Sequence, residues 1–284
     1  MKIKKAVITL AHPGQKNLPL QHLMDRDGKN KSALQILVEE ALVGGVEEIG
    51  LVICPGQEEA YRAAVPDHRE RLLFLEQREP RGYGDALLTA RRFVGSDPFL
   101  HMVGDHLALA AGKTRCAPQL VALAEQERCS VSAVQSTPES LLPYYGVVGG
   151  KLEPGQKGLY TVDAVREKPS PTEAEEELVV PGLRAGYYLC FFGMHVLTPS
   201  VMSALGTALE QAASPETVTL STALHAVARR EKYLAFEIRG ARHNIGVPYG
   251  LFYAQLALAL RGVDREDVLA ELVAQLAQRE GARA

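Results

Sequence analysis

Short apolar segments of strand length alternate with helix-like segments over the first 75 residues, and this alternation limits the possible folds more than any other feature. The strand-like segments are rich in aliphatic residues and cover residues 6–10, 47–53 and 72–75. Between the first two, Ser32 is a favourable N-cap for a helix over residues 33–43, which Gly44 ends. This βαβαβ order predicts an α/β fold with a mostly parallel sheet flanked by helices.

The rest of the chain continues the alternation and adds two features. Further strands are predicted at 99–104, 130–135, 185–192 and 233–238, the last of the chain. Further helices are predicted at 57–65, 85–93, 120–128, 199–213 and 219–230. The added features are a small antiparallel β insertion at about 142–192 and a helical tail at about 248–284, broken near 262–264. Because no repeat or low-complexity linker interrupts the chain, we expect a single domain over residues 1–284.

Composition and charge exclude several classes of function. The net charge is −3 and no Lys/Arg-rich run is present, so nothing in the sequence attracts nucleic acid. The four cysteines are scattered without metal-binding spacing, and we expect them to be reduced. No apolar run is long enough for a signal-peptide core or a membrane span. These features predict a cytoplasmic protein that binds neither nucleic acid nor membrane.

Two candidate sites follow predicted strands in the first half of the chain. The small-residue loop 11–17 directly follows strand 6–10, where α/β proteins present backbone amides to a phosphate. Asp105 follows strand 99–104, and a carboxylate there is well placed to hold Mg²⁺ on a nucleotide. The alternative for Asp105 is an ordinary turn or cap residue.

Three weaker candidates come from other loops. Gln77 and Gly82 lie in a loop whose glycines let backbone amides approach a base or phosphate, although a plain strand-to-helix turn would look the same. Glu167 and Lys168 offer a carboxylate to sugar hydroxyls and an ammonium to a phosphate, or form a solvated surface pair. Asn244 offers an amide oxygen to a hard cation, or belongs to a turn. The histidines at 12, 106 and 243 do not have the spacing of a zinc site.

Taken together and in order, these segments resemble the bacterial UTP–glucose-1-phosphate uridylyltransferases of the sugar-nucleotidyltransferase superfamily. The similarity runs from Lys5 to about Leu258, and residues 25–56 are especially similar to one subgroup. It implies the nucleotidyltransferase fold, which has a Rossmann-like sheet, and Mg²⁺ as cofactor. It also implies an in-line attack of glucose-1-phosphate on the α-phosphate of UTP, which forms UDP-glucose and pyrophosphate.

The resemblance assigns roles to individual residues, motif by motif. The nucleotide-binding residues would be Ala11, Gly14, Gln77 and Gly82. The sugar-binding residues would be Tyr145, Gly146, Glu167, Gly186 and Glu216. The catalytic residues would be Lys16, Asp105 and Lys168, and the metal ligands would be Asp105 and Asn244.

The similarity fails in the opening loop. The family carries G-x-G-T-R and then lysine-containing P-x-T-K and P-K-E segments, whereas this chain has a different sequence at 12–17 and a shorter run to Asp25. Gly14 matches the second glycine, and the cations on offer are Lys16 and Arg26. Because the family's cations would neutralise the triphosphate, the loss of one would slow the reaction by ~10²–10³-fold.

Two further departures leave three functions open. Asp85 stands where the family usually has histidine, and Asn244 where it has a second metal-binding aspartate. The chain is therefore a working uridylyltransferase, an impaired homologue that binds a nucleotide or sugar nucleotide as a regulator or partner, or a transferase for another sugar or nucleotide. The retained base loop and Asp105 favour the first, and the altered opening loop favours the second.

The C-terminal segments raise the question of self-association. The family is commonly oligomeric through its C-terminal helices, and the segments 251–260 and 268–276 are apolar enough for a subunit interface. The resemblance therefore implies a homo-oligomer. Packing of these segments against the sheet of the same chain is the alternative.

Overall fold

The structure, a computed structural model, describes residues 1–281, so that residues 282–284 of the predicted tail lie outside it. Its strands are β1 (Lys5–Thr9), β2 (His22–Met24), β3 (Asn30–Ser32), β4 (Glu48–Ile53), β5 (Leu72–Glu76), β6 (Phe99–Val103), β7 (His106–Ala110), β8 (Ser130–Pro138), β9 (Gly146–Leu152), β10 (Leu159–Glu167), β11 (Tyr187–Leu197), β12 (Tyr233–Glu237) and β13 (Gly240–Asn244). Its helices are α1 (Ala33–Val43), α2 (Glu58–Ala64), α3 (Tyr83–Leu88), α4 (Arg91–Val94), α5 (Cys116–Glu127), α6 (Pro171–Glu177), α7 (Pro199–Gln211), α8 (Leu220–Ala228), α9 (Gly250–Ala259) and α10 (Arg265–Gly281).

A nine-stranded sheet forms the centre of the fold, in the order β5-β4-β1-β6-β11-β8-β12-β10-β9. β5, β4, β1 and β6 pair in parallel, as the alternation in the sequence predicts. β11 runs antiparallel between β6 and β8 and connects this parallel half to the β9–β10 hairpin of the predicted insertion. The predicted α/β fold is confirmed, with the parallel pairing concentrated on one side of a mixed sheet.

Helices cover both faces of the sheet, and the strand residues alternate between them. Ile8 of β1 packs in a core with α1 and α5, whereas its neighbour Val7 packs in a second core with α3, α7 and α8. All these strand positions are buried, so the strands carry apolar residues at consecutive positions. The arrangement brings the carboxyl ends of β1 and β6 side by side.

The helix ends are predicted well where the capping is local. Ser32 caps α1 as predicted, and its Oγ accepts the backbone N–H of Gln35 at 2.9 Å. α5 begins at Cys116, earlier than predicted, because Glu40 of α1 accepts the backbone N–H of Ala117 at 2.8 Å. A cap supplied by a different helix leaves no local signal in the sequence.

Three parts of the chain differ from the predicted elements. The predicted helix 85–93 is two short helices, α3 and α4, with a turn between them. β2 and β3 form a small hairpin, and the turn predicted near Asp25 connects its strands. β12 is not the last strand, because β13 follows it and pairs with β7. These short strands are stabilised by pairing with each other, and the paired strands β7 and β13 are far apart in sequence.

The helical tail breaks between α9 and α10, near the predicted position. Apolar side chains on it remain exposed, among them Tyr249, Phe252, Tyr253 and Val273. The homo-oligomer stays a prediction, and this exposed apolar surface is a candidate for its subunit interface. None of the helices in residues 1–281 is both long and apolar enough to cross a membrane.

Two histidines lie buried inside the sheet beneath the carboxyl ends of its strands. His101 of β6 and His195 of β11 are opposite each other in the strand register, and their rings stack at 5.8 Å. His101 Nε2 is 2.6 Å from the Tyr83 hydroxyl, and His195 Nδ1 is 2.6 Å from the Ser132 hydroxyl. Burial lowers the pKa of His101 to about 4, and burial followed by the nearby His101 lowers the pKa of His195. Both rings are therefore neutral at pH 7.

We expect the free energy of unfolding to fall as the pH is lowered from 6.5 towards 4. In this range the unfolded chain binds a proton at His101 and the folded chain does not, so this residue alone removes about 3 kcal/mol by pH 4. Urea unfolding at pH 7 and pH 4.5 measures the change. His101→Gln should reduce it, whereas His22→Gln, at an exposed histidine, should leave it unaltered. A pH dependence that is the same in both variants would contradict the assignment.

Candidate functional site

A cleft of about 550 Å³ opens at the carboxyl ends of β1 and β6, where ligands of α/β proteins bind. We call it the main cleft. The predicted site residues that line it are Ala11, Gln77, Gly82, Asp105, Glu167, Lys168 and Glu216. A side cavity of about 100 Å³ adjoins it, and the two share Tyr83, Val103 and Glu167. The predicted sugar residues Tyr145 and Gly146 line this side cavity.

The fold thus gathers most of the predicted site in one place. Four predicted residues line neither cavity: Gly14, Lys16, Gly186 and Asn244. Gly186 lies before β11, where its carbonyl accepts the backbone N–H of Glu139 at 2.9 Å. Gly14 is exposed in the turn after β1.

Gln77 and Gly82 form one wall of the main cleft. The Gln77 backbone N–H donates to the carbonyl of Ile53 at 2.9 Å, which fixes the start of this loop at the end of β4. The Gln77 side chain donates to the Gly82 carbonyl at 3.1 Å and to Asp85 at 2.9 Å. Gly82 has a φ of +94°, and a Cβ there would lie 2.9 Å from Glu216 Cα. Only glycine allows these two walls to approach so closely.

Asp105 lies in the turn between β6 and β7, at the base of the main cleft. Its Oδ1 is 2.6 Å from Nδ1 of His106. Burial opposes ionisation of Asp105, but the contact with His106 and the nearby His12 outweigh it and hold the pKa of the carboxyl below its usual value. The cleft therefore contains a carboxylate at neutral pH.

The pairing of β7 with β13 brings Asn244 to Asp105. Asn244 lies opposite His106 in this ladder, and the Ile245 backbone N–H donates to the carbonyl of Asp105 at 2.8 Å. Both predicted metal ligands face the space above Gly246. A Cβ placed on Gly246 would be 3.2 Å from Asn244 Oδ1 and 3.4 Å from Asp105 Oδ2.

This donor pair fits a hard divalent cation. One carboxylate oxygen and one amide oxygen converge beside Gly246, and oxygen ligands are those that Mg²⁺ prefers. Asn244 Oδ1 also accepts the Gly246 backbone N–H at 2.8 Å, and the Gln15 side chain shares the same space. Residues 1–281 contain no cluster of three or more histidine, cysteine or acidic residues arranged to hold a metal. A cation here would therefore need further ligands from phosphate oxygens or water.

Glu167 ends β10 and lines both the main cleft and the side cavity, whereas Lys168, the next residue, lines only the main cleft. Glu167 accepts a hydrogen bond from the Ser221 hydroxyl at 2.5 Å. Lys168 has a φ of +47°, and its backbone N–H donates to the carbonyl of Tyr145 at 3.1 Å. Lys168 forms no ion pair with the other described residues, and it is the one lysine or arginine among the residues that line the main cleft.

A buried arginine supports the wall of the side cavity. The Arg242 guanidinium lies 3.6 Å from the centre of the Tyr145 ring, which is a close cation–π contact. It also donates to the carbonyls of Cys190 and Phe191 and to the Thr137 hydroxyl. Arg242 was not predicted as a site residue, because an arginine one position before His243 carries no recognisable motif.

Lys16 of the opening loop does not line the main cleft. The carbonyl of Lys16 accepts a hydrogen bond from the Tyr61 hydroxyl at 2.8 Å. Lys16 is exposed. Burial raises the pKa of the Cys54 thiol, and the positive charge of Lys16 partly opposes this effect. Instead, His12 and Gln15 of this loop line the cleft. In the sequence His12 was considered only as a zinc ligand, and its spacing from the other histidines is not that of a zinc site.

The cations of the β2–β3 hairpin also pair with carboxylates, and the Arg26 guanidinium lies 3.8 Å from Asp25 Oδ1. Lys31 is buried and forms ion pairs with Asp25 at 2.8 Å, Asp27 at 2.9 Å and Glu39 at 2.8 Å. The carbonyl of Arg26 accepts the Val263 backbone N–H at 3.0 Å, which ties the hairpin to the segment between α9 and α10. Neither cation lines the main cleft.

The chain is similar to known proteins over nearly its whole length. The family model described as nucleotidyl transferase matches residues 23–259, which is most of the chain. The chain belongs to the nucleotidyl transferase family. The match begins after residues 12–17, so the altered opening loop lies outside the family match, whereas the departures at Asp85 and Asn244 lie inside it.

Individual relatives of this nucleotidyl transferase agree with the resemblance in the sequence. The UTP–glucose-1-phosphate uridylyltransferase of Streptococcus pneumoniae is 28% identical over 308 residues, covering 97% of this chain and 96% of the relative. A Streptococcus pyogenes enzyme of the same name is also 28% identical, with the same coverage. UTP-bound UDP-glucose pyrophosphorylase from Acinetobacter baumannii has a similar fold, with a TM-score of 0.72, 20% identity, and coverage of 96% and 99% of the two chains.

Proposed function

We propose that this nucleotidyl transferase catalyses Mg²⁺-dependent transfer of a uridylyl group from UTP to glucose-1-phosphate, with release of pyrophosphate. The observation that carries the proposal is the convergence of the base wall, Asp105 and Lys168 in one cleft, with Asn244 Oδ1 close to Asp105 although Asn244 does not itself line the cleft. The names of the Streptococcus relatives supply the substrates. The open cleft also agrees with direct transfer between two bound substrates.

Each part of the cleft has a separate task in this proposal. Gln77 and Gly82 would bind the base, and Glu167 would accept hydrogen bonds from sugar hydroxyls near Tyr145. Asp105 and Asn244 would hold Mg²⁺, which supplies charge neutralisation on the phosphates. Lys168, which lines the main cleft, would attract the phosphate of glucose-1-phosphate and hold its oxygen near the α-phosphate.

The balance of charges in the cleft predicts slow turnover. Three carboxylates line the main cleft, from Asp105, Glu167 and Glu216, against the single ammonium of Lys168. A triphosphate in this cleft would meet few fixed positive charges, because Lys16, Arg26 and Lys31 lie outside it. Catalysis would therefore depend more strongly on the bound cation than in a relative with an arginine in the opening loop.

The same observation supports a second candidate function. A diphosphate ester carries less charge than a triphosphate and needs fewer cations. A cleft with one lysine thus also suits a homologue that binds UDP-glucose without turnover, as a regulator or partner of another protein. Parallel measurements separate the two candidates: calorimetric titration of UTP and UDP-glucose with Mg²⁺, and pyrophosphate release from UTP and glucose-1-phosphate. Turnover supports the transferase, and saturable binding without turnover supports the second candidate.

A methyl group at Gly246 tests the proposed metal site. Gly246→Ala would place Cβ near both Asn244 Oδ1 and Asp105 Oδ2 and 2.7 Å from Gln15 Nε2. We expect the Mg²⁺ concentration that gives half-maximal activity to rise about tenfold or more, because a displaced ligand weakens coordination. Gly112→Ala is the matched control, since its Cβ would have no neighbour within 4 Å. An unchanged Mg²⁺ requirement in Gly246→Ala would contradict this site.

A further inference from the structure

The side chain of Gln77 is held in one orientation by two groups that can only accept hydrogen bonds. Its Nε2 lies 3.1 Å from the carbonyl of Gly82 and 2.9 Å from Oδ2 of Asp85. A carbonyl and an ionised carboxylate have no proton to donate, so the amide nitrogen must face them. The opposite orientation would bring the amide oxygen against two other oxygens. The position of Oε1 is therefore fixed by the chemistry of its neighbours.

This orientation leaves an acceptor open to the main cleft. Gln77 is 7% exposed, and the little surface it retains borders the cleft. Its Oε1 accepts no hydrogen bond from residues 1–281, and it is not among the buried polar atoms that lack a partner there. A ligand atom at this wall therefore meets an oxygen with free lone pairs. The backbone N–H of Gly82, beside it, likewise has no acceptor within the described chain.

Asp85 is the stronger of the two groups that hold the amide. The Gly82 carbonyl also accepts the backbone N–H of Ala86 in the first turn of α3, so it is shared. The Asp85 carboxylate makes a charge-assisted hydrogen bond, and it lies 3.9 Å from the Arg81 guanidinium. A side chain at position 85 that cannot accept a hydrogen bond would leave Gln77 free to turn its amide nitrogen towards the cleft.

We infer that Asp85 is a positioning residue that fixes Gln77 Oε1 as an acceptor and thereby selects bases with a ring N–H donor. Uracil, thymine and guanine carry such a donor beside a carbonyl, whereas cytosine and adenine present a bare ring nitrogen beside an amino group. The Gly82 N–H suits the ring carbonyl of the first group. The inference rests on the proposed function in taking the main cleft as a nucleotide site.

The unaltered protein provides the first test. Calorimetric titration of the full chain with UMP, CMP and N3-methyl-UMP compares ligands that differ at the ring nitrogen. We expect UMP to bind at least about tenfold more tightly than either of the others, because each leaves Oε1 without a donor. Equal binding of UMP and N3-methyl-UMP would overturn the inference. This comparison needs no variant and is independent of any effect on folding.

The second test asks whether Asp85 causes the selectivity. In Asp85→Ala the ratio of the CMP and UMP dissociation constants should fall about tenfold, because Gln77 can then present either end of its amide. Asp85→Glu is the conservative control, because its carboxylate, like that of Asp85, can only accept a hydrogen bond from Gln77 and should preserve the ratio. A merely structural role would weaken both nucleotides together and leave the ratio unchanged. An unchanged ratio of the CMP and UMP dissociation constants in Asp85→Ala would overturn the inference that Asp85 positions Gln77.

The outcomes also separate this inference from the proposed function. Uridylyl transfer by the unaltered chain, together with equal binding of UMP and N3-methyl-UMP, would leave the proposed function standing and remove the inference. Selectivity for UMP without any turnover would support the inference and favour the second candidate function. If no nucleotide binds, both fall.

Discussion

Asp105→Asn is expected to release pyrophosphate from UTP and glucose-1-phosphate ~10²–10³-fold more slowly than the unaltered protein. The substitution would keep the size of the side chain but remove the negative charge at the point where it converges with Asn244. With few fixed cations in the cleft, a weaker hold on the metal would not be compensated by protein side chains. Steady-state assays over a range of Mg²⁺ concentrations measure the change in kcat and in the metal requirement.

The matched control for this variant is Asp163→Asn. Asp163 is an exposed aspartate of β10 that lines neither cavity, so the same change of charge should leave activity within about twofold. Thermal unfolding of both variants shows whether the fold is kept. If a correctly folded Asp105→Asn were as active as the control, the assignment of the metal site would be wrong.

Lys31→Met is expected to lower the free energy of unfolding by about 4 kcal/mol, because it leaves Asp25, Asp27 and Glu39 without their shared cation. Burial opposes the charge on Lys31, but its hydrogen bonds to these carboxylates outweigh burial and raise the pKa of the ammonium above its usual value. The folded chain thus holds this proton more tightly than the unfolded chain. The contribution is fully present at neutral pH and is lost only in strong alkali.

Lys4→Met provides the comparison for Lys31→Met. Lys4 pairs with Glu47 at 3.0 Å, and both side chains are more than half exposed. Removing this pair should cost less than about 1 kcal/mol, because exposed ion pairs are screened by water. Urea unfolding at pH 7 gives both values. Equal losses in the two variants would mean that the Lys31 cluster contributes no more than a surface pair.

The fold was predictable wherever local signals decide the structure. Ser32 and Gly44 bound α1 because both caps are formed by neighbouring residues in the chain. By contrast, β7 and β13 are short strands whose pairing joins residues more than a hundred positions apart, as in His106 with Asn244. Local patterns do not report such pairing. The amide oxygen of Asn244 marks it as a candidate cation ligand in the sequence, but its position beside Asp105 was predictable only through the family resemblance.

The candidate site was predictable in part for a similar reason. Asp105 follows from the rule that ligands bind at the carboxyl ends of strands, and the structure brings it into the main cleft. Lys16 is the cation that the resemblance offers in place of the family arginine, but it does not line the main cleft. The direction of a side chain in a short irregular loop depends on tertiary contacts such as the hydrogen bond from Tyr61, which the sequence does not reveal.

The most direct test of uridylyl transfer is a single-turnover experiment with the full chain in excess over labelled UTP, in the presence of glucose-1-phosphate and Mg²⁺. Excess protein makes even slow chemistry visible and separates it from slow product release. The proposed function predicts complete and stoichiometric conversion to UDP-glucose and pyrophosphate, which chelation of the metal abolishes. UTP that binds but remains intact over hours would contradict it and leave a sugar-nucleotide-binding protein.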